Sequence, residues 1–483
     1  KNKWGLKFNR AHEFAARDNS GHLYENSWDS LNLNPGLSTP YAPVHCGIAG
    51  LDEAVAFRAF QLAGVPSANT HWIQFRVVDS QKEASADDQY AGDLRGLYLA
   101  VQDMDGALLR ERHLPDGNIY SIQSGRKHLA QGSPQDGSDW DQFLQRVRAK
   151  QPEAWWRTNL DLPAYYNFHA ISRVIGNVDL RPDGNHGYYR HPDGRWAPFP
   201  WDHDMIFVPR VHQPGHIDAV RSLDVRALRL EFQNRAREVL DLFCSDSAPD
   251  GGQIGQLVDE LARVLMPSGF TNDWGQLDAA VWNWNPRQNQ KGLFYVNPAM
   301  GHQFGGPWQR TLASPDLAGF SRYIVEFCTD SRPTKNYEPN DGDQRGYGFG
   351  FLQHEAKDDL VPSTPTVRFT GTHGFAVNQL SFEGSSFASP ETNRFAAVQW
   401  RIGEVSAPGH AGWVAGQPRR YEIEPSWTSS EIQTAENSFT LPARACQPDH
   451  TYRVRARYKD HTGRWSHWSA PAQFVAQPKT RAN

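Results

Sequence analysis

The chain has 483 residues, more than one hydrophobic core accommodates, so two or three domains are expected. Hydrophobic residues make up 39% and charged residues 21%, the balance of a globular protein, and a net charge of −5 gives no electrostatic footprint for a nucleic-acid partner. No apolar run reaches about 18 residues, so no transmembrane helix is expected. The four cysteines, Cys46, Cys244, Cys328 and Cys446, form no C-x-x-C pair, which argues against a structural zinc site and a disulfide framework. The 17 tryptophans are read as β-sandwich core rather than as a carbohydrate groove.

The opening run Trp4–Phe8 reads as the middle of a strand, and the expectation is a processed form or fragment with an upstream part removed. A helix follows, with Asp52 as its expected N-cap and Val55, Ala59 and Leu62 on one face; Gly64 and Pro66 stop it. Trp72–Val78 and Leu94–Val101 read as strands. Residues 140–175 read as helical, with Leu162, Tyr165, Tyr166, Phe168, Val174 and Ile175 forming a buried face. His186–Arg190 and Trp196–Phe199 form a hairpin about Pro192-Asp193-Gly194.

From 220 to 330 the pattern is helical, clearest in Ile254, Leu257, Val258, Leu261, Val264 and Leu265, and a last helix is expected near Leu317–Phe327. Residues 333–362, rich in Pro, Gly and Asp, read as a linker; the glycine run Gly346–Gly350 has no strand before it and is not read as a phosphate loop. Beyond 363 about seven short strands are expected. In one of them Tyr452, Val454, Ala456 and Tyr458 alternate with Arg453, Arg455 and Arg457.

The stretch from Ile175 to Asp204 carries the chemistry. An acid, Asp179, follows a buried helix; Asn185 comes six residues later; a hairpin then leads to Asp202 and Asp204. Phosphoryl transfer needs one carboxylate to hold an acceptor hydroxyl and further oxygen ligands to hold Mg²⁺ against the phosphates. Asp179, Asn185 and Asp202 stand in that order. His203 lies between the two aspartates and, in a strand, points away from them toward packing.

This segment resembles the CotH-type kinases, atypical protein kinases whose signature runs Asn-x-Asp, then Asn, then Trp-Asp-x-Asp; here these are Asn177 to Asp179, Asn185, and Trp201 to Asp204. Asp52 and Arg58, Ala63–Pro66, Gly96–Leu99 with Asp105, and Asp116–Tyr120 resemble further parts of the family pattern over about residues 1–330. The resemblance implies an α+β atypical protein-kinase-like fold over 1–332, using ATP with Mg²⁺ or Mn²⁺ and protein Ser/Thr acceptors. By the same resemblance Asp179 is the catalytic acid/base, Asp202 the principal metal ligand, and Asn185 and Asp204 further metal ligands. The resemblance further implies that Lys7 contacts the phosphates and that Gln102, where the family usually has Glu, stands on the base side; Glu53 on the helix is a candidate ion-pair partner for Lys7.

Residues 363–478 resemble an all-β fibronectin type III-like sandwich. Its Trp465-Ser466-His467-Trp468-Ser469 run resembles the Trp-Ser-x-Trp-Ser motif of cytokine-receptor fibronectin domains, with Arg453, Arg455 and Arg457 available for a cation–π ladder. Such modules imply an extracellular or cell-surface setting and a cell-surface or matrix partner through the sandwich. Two other classes stand beside the kinase: a carbohydrate-active or carbohydrate-binding secreted protein using Asp179 with Asp202 or Asp204 as paired carboxylates, and a pseudokinase scaffold or adhesion protein.

Overall fold

The computed structural model describes residues 3–9, 11–36, 48–81, 93–177, 180, 184–207, 221–244, 252–266, 269, 271, 273–282, 284–285, 290–291, 317–329, 348–372, 374–390 and 392–480. The chain divides into two compact units. One comprises Lys1–Arg221, Leu257–Asp330 and Thr334–Gly348; the other comprises Ser222–Gln256, Ser331–Pro333 and Phe349–Asn483.

The first unit opens with strands β1 (Trp4–Lys7) and β2 (Ser30–Asn34), helix α1 (Leu51–Leu62), and strands β3 (Thr70–Val77) and β4 (Asp93–Gln102). The strands form an antiparallel sheet in the order β1-β2-β4-β3. Leu31, Leu33, Tyr98 and Ala100 turn one face of it onto Trp28 and Ala16. Strand alternation therefore sends Asn32, Asn34, Leu99 and Val101 to the other face, where Asn34 meets Glu53 of α1. The N-cap of α1 is Gly50, in the left-handed conformation at φ 73°. Asp52, expected at that cap, lies inside the first turn and is buried.

A second antiparallel sheet, in the order β6-β5-β7-β8, is built from β5 (Asn118–Ser121), β6 (Gly125–His128), β7 (His186–Arg190) and β8 (Trp196–Pro200). Helix α2 (Gly106–Glu111) precedes β5, and α3 (Ser138–Val147), α4 (Glu153–Asn159) and α5 (Leu162–Val174) come between β6 and β7. Asp105 caps α2 by accepting from Ala107 N and Leu108 N, and Asp161 caps α5 by accepting from Ala164 N. The apolar face of α3 joins Trp140 and Phe143 to Tyr120, Tyr188 and Trp196 in one aromatic cluster.

The second unit is discontinuous in sequence. Helix α6 (Arg226–Val239) runs into a π-helical turn at Leu240–Cys244, and the first residues of α7 (Gln253–Leu265) follow. Helices α8 (Trp274–Trp282) and α9 (Leu317–Thr329) belong to the first unit. Helix α10 (Gly348–Ala356) falls inside the stretch expected to be linker; burial of Phe351 and Leu352 holds it folded. No helix among the described residues is long and apolar enough to cross a membrane.

After a short antiparallel pair in the first unit, β9 (Trp284–Asn285) and β10 (Gln290–Lys291), the remaining described strands are β11 (Val367–Phe369), β12 (Ser381–Gly384), β13 (Phe395–Glu404), β14 (Trp427–Thr428), β15 (Ser438–Thr440), β16 (Thr451–Asp460) and β17 (Ala472–Val475). They make two sheets, β11-β12-β15 and β14-β13-β16-β17, with Phe382, Trp400, Ile402, Val454 and Phe474 packed between them. The alternation of β16 holds: Tyr452, Val454, Ala456 and Tyr458 enter this core.

The arginines of β16 divide their work on the outer face. Arg457 stacks on Trp465 and Trp468, each ring centroid 4.4 Å away, and Arg401 of β13 sits 5.6 Å from Trp468. Arg453 and Arg455 instead reach the buried carboxylate of Glu422, at 3.3 Å and by a short bond respectively. Helix α6 covers this face. Buried Arg237 donates to the carbonyls of Trp465 and Ala356, Asn234 accepts from Trp465 N, and Asp241 accepts from Trp468 N at 2.8 Å. Farther along the chain, Gln253 accepts from Glu422 N and Arg419 donates to the carbonyl of Gln256.

Glu422 faces three buried guanidiniums, those of Arg401, Arg453 and Arg455, so its removal leaves uncompensated charge in the interior. Glu422→Ala and the neutral isostere Glu422→Gln are each expected to cost the second unit about 3–5 kcal/mol, in urea unfolding followed by circular dichroism; a Glu422→Gln variant as stable as the wild type contradicts this charge balance.

Candidate active site

The loop that leaves β8 holds Trp201, Asp202, His203 and Asp204. Asp202 has φ 55°, a left-handed conformation that a non-glycine residue adopts at a cost of roughly 1–2 kcal/mol. The loop is tied down behind the acids: Phe207 N donates to the Ile175 carbonyl at 2.6 Å, and the Tyr323 hydroxyl of α9 donates to the Phe207 carbonyl. His203 is buried between Phe57 and Phe60 of α1, with ring centroids 4.6 and 5.3 Å away. Burial pushes its pKa down to about 3, so it packs as a neutral ring. This is the packing role expected from its place between the two aspartates.

The carboxylates of Asp202 and Asp204 close on one ammonium group. Lys3 Nζ, immediately before β1, donates to Asp202 Oδ1 at 3.1 Å and to Asp204 Oδ2 at 3.3 Å. Burial works to lower the Lys3 pKa, but Asp202, Asp204 and Glu53 outweigh it and hold the amine above its ordinary value. Lys3, Asn34, Glu53, Phe57, Trp201 and Asp202 line a cavity of about 300 Å³. Glu53 is buried and accepts a short hydrogen bond from Asn34 Nδ2. Burial, then the charges of Asp52 and Asp204, raise its pKa well above the usual range, against the pull of Lys3. Burial likewise pushes Asp52 up to about 7.

Four acids, Asp52, Glu53, Asp202 and Asp204, thus act on one another around a single lysine. Hard carboxylate oxygens in excess over positive charge suit Mg²⁺ or Mn²⁺; Asp202 lines the cavity, and Asp204 shares Lys3 with it. Among the described residues, no three or more Asp, Glu, His or Cys side chains are already grouped as a metal would hold them.

The structure brings together only part of the set expected from sequence. Asp202 and Asp204 meet. Asp179 lies outside the described residues. Asn185 is buried with φ 64°, and its Oδ1 accepts from Gln123 Nε2 at 3.1 Å. Lys7 is exposed opposite Ser30, at the far end of β1 from the aspartates. Lys3, one of the neighbouring basic residues, stands where Lys7 was expected; its shared strand face with Lys7 is legible in the alternation, but its proximity to the aspartates is not. Gln102 pairs with Leu31 and so shares the core face of Ala100, turned from the cavity that Val101 lines. Its amide oxygen accepts from Asn69 N at 3.4 Å, and among the described residues its Nε2 has no partner.

The CotH kinase protein family model matches residues 51–238. That stretch holds α1, both sheets from β3 onward and the Asp202–Asp204 loop, and ends within α6; Lys3 precedes it. No curated protein matches the chain. Among solved structures, one titled "Myokine structure" is 19% identical and has a TM-score of 0.16, with 24% of this chain and 99% of that chain covered.

A buried carboxyl whose folded pKa lies above its unfolded value stabilises the fold while protonated. For Asp52 that contribution is complete below about pH 4 and is lost as pH rises through about 7. Asp52→Asn is therefore expected to be more stable than the wild type at pH 8, with the advantage shrinking toward pH 4. Chemical denaturation in EDTA at the two pH values reads this directly; an advantage independent of pH contradicts it.

Proposed function

We propose that this chain is a metal-dependent atypical protein kinase that transfers the γ-phosphate of ATP to Ser or Thr hydroxyls of a protein acceptor outside the cell. The observation that carries the reading is the Lys3 ammonium held by Asp202 and Asp204, with Lys3, Asp202 and Glu53 lining one cavity, in a chain whose residues 51–238 match the CotH kinase family model.

Within this reading Asp202 and Asp204 hold the divalent cation. When bound, the cation offsets phosphate charge and ATP supplies the phosphoryl group. Lys3 takes the phosphate-contacting role expected of Lys7, exchanging aspartate oxygens for phosphate oxygens. Its raised pKa keeps it a cation through that exchange. Glu53 and Asn34 hold it in register from α1 and β2. Buried His203 anchors the loop so that its aspartates need little rearrangement. Asp179 keeps the role that the resemblance implies, orienting the acceptor hydroxyl and receiving its proton. We further read the two facing sheets of the second unit as a fibronectin type III-like module with a cell-surface or matrix partner.

Transfer of label from γ-labelled ATP to a Ser-rich basic protein such as histone, in Mg²⁺ or Mn²⁺, tests the reading. Asp202→Ala and Lys3→Met are each expected to lower transfer about 100-fold or more, while Lys7→Met stays within a few-fold. ATP binding without transfer favours the pseudokinase scaffold. Absence of metal-dependent ATP binding removes the kinase reading and favours a carbohydrate ligand against Trp4 and Trp201, which also line the cavity.

A further inference from the structure

We propose that Gly5 determines which ligands the cavity admits. In this inference the bare row Gly5–Asn32–Val101 is the floor on which the nucleoside part of a nucleoside triphosphate lies, while its phosphates meet Lys3. The inference rests on the kinase reading and adds the element that selects a nucleoside over a bare polyphosphate.

The row is set by register. Gly5 pairs with Asn32 across β1 and β2, and Asn32 pairs with Val101 across β2 and β4. All three line the cavity. Alternation places Lys3 and Lys7 on the same face as Gly5, one on each side, so Gly5 is a gap between two cations.

The fold does not itself require a glycine there. Gly5 is not among the residues with positive φ, and a Cβ built on it meets only Asn32 Oδ1, at 4.0 Å, an ordinary contact. A glycine inside a strand weakens it, and a usual reason for keeping one is the close approach of a ligand or another backbone.

The neighbouring amides give an independent observation. Among the described residues, the buried Nδ2 of Asn32 and Oδ1 of Asn34 have no hydrogen-bond partner, although Asn34 spends its other amide atom on Glu53. An unpaired donor and an unpaired acceptor on adjacent same-face positions of β2 match the hydroxyls or ring edge of a nucleoside. Side chains at Asn32 and Val101 with bare backbone at Gly5 leave a shallow surface suited to a flat or puckered ring.

Isothermal titration of the full chain with ATP and with inorganic tripolyphosphate, both with Mg²⁺, tests the assignment. The wild type is expected to bind both. Gly5→Leu is expected to weaken ATP tenfold or more while changing tripolyphosphate less than twofold. Asn32→Ala, which fills nothing, is expected to weaken ATP about three- to tenfold with tripolyphosphate again unchanged. Retained tripolyphosphate binding shows that a variant is folded at the site. ATP binding by Gly5→Leu within twofold of wild type, or parallel loss of both ligands in both variants, overturns the role of Gly5 and leaves the kinase reading standing. A wild type that binds neither ligand overturns both.

Discussion

Beside the cavity of the first unit, one ammonium group faces more negative charge than it neutralises. Lys3 holds Asp202 and Asp204 directly, and Asp52 and Glu53 stand behind them in the first turn of α1. Carboxylates buried together resist ionisation, which is why Asp52 and Glu53 are pushed upward and Lys3 is held charged. The arrangement needs every supporting element. Strand β1 brings the lysine, β2 brings Asn34 to Glu53, and the loop after β8 turns through a left-handed Asp202 to present both acids. Such a site is poised to gain a cation: a second positive charge relieves the repulsion that folding has concentrated there.

Much of this was legible in the chain. The strand Trp4–Lys7, helix α1, the β7–β8 hairpin and the alternation of β16 all follow from local periodicity and turn residues, which act over a few positions. The acids of the Trp201–Asp204 run were legible because a short segment contains them. The lysine that meets them was not. Lys3 and Lys7 share a strand face, and the choice between them depends on where a loop some 200 positions later comes to rest. Gln102 illustrates the same limit, since the register of β4 against β2 decides which side of the sheet it occupies. The segment of α10 reads as linker because it sits in the Pro-, Gly- and Asp-rich stretch 333–362 and starts on its glycine run, whereas tertiary burial of Phe351 and Leu352 overrides that propensity.

The second unit uses buried charge differently. Glu422 is enclosed by guanidiniums from β13 and β16, and Arg457 lies between two tryptophan rings. The expected arginine–tryptophan ladder is thus divided between ring stacking and ion pairing. Its outer side is closed by α6 and the π-helical turn after it: Asn234 and Arg237 of the helix and Asp241 of the turn bond the segment that carries Trp465 and Trp468. A motif that invites an interpretation as a binding surface is here largely occupied by the protein's own helix.

That helix leads its partners in the order of synthesis. Arg237 emerges some 230 residues before Trp465, and at ordinary elongation rates the interval is roughly ten to fifty seconds. Throughout it, the side of α6 that later covers the ladder has no native surface to rest on, and Arg237 must stay hydrated although its final place is interior. The unit therefore completes only after the intervening segment of the first has been made, so its assembly is gated by translation and by whatever shields an unfinished chain. A premature stop anywhere before β16 strands the helix, whatever has already folded upstream.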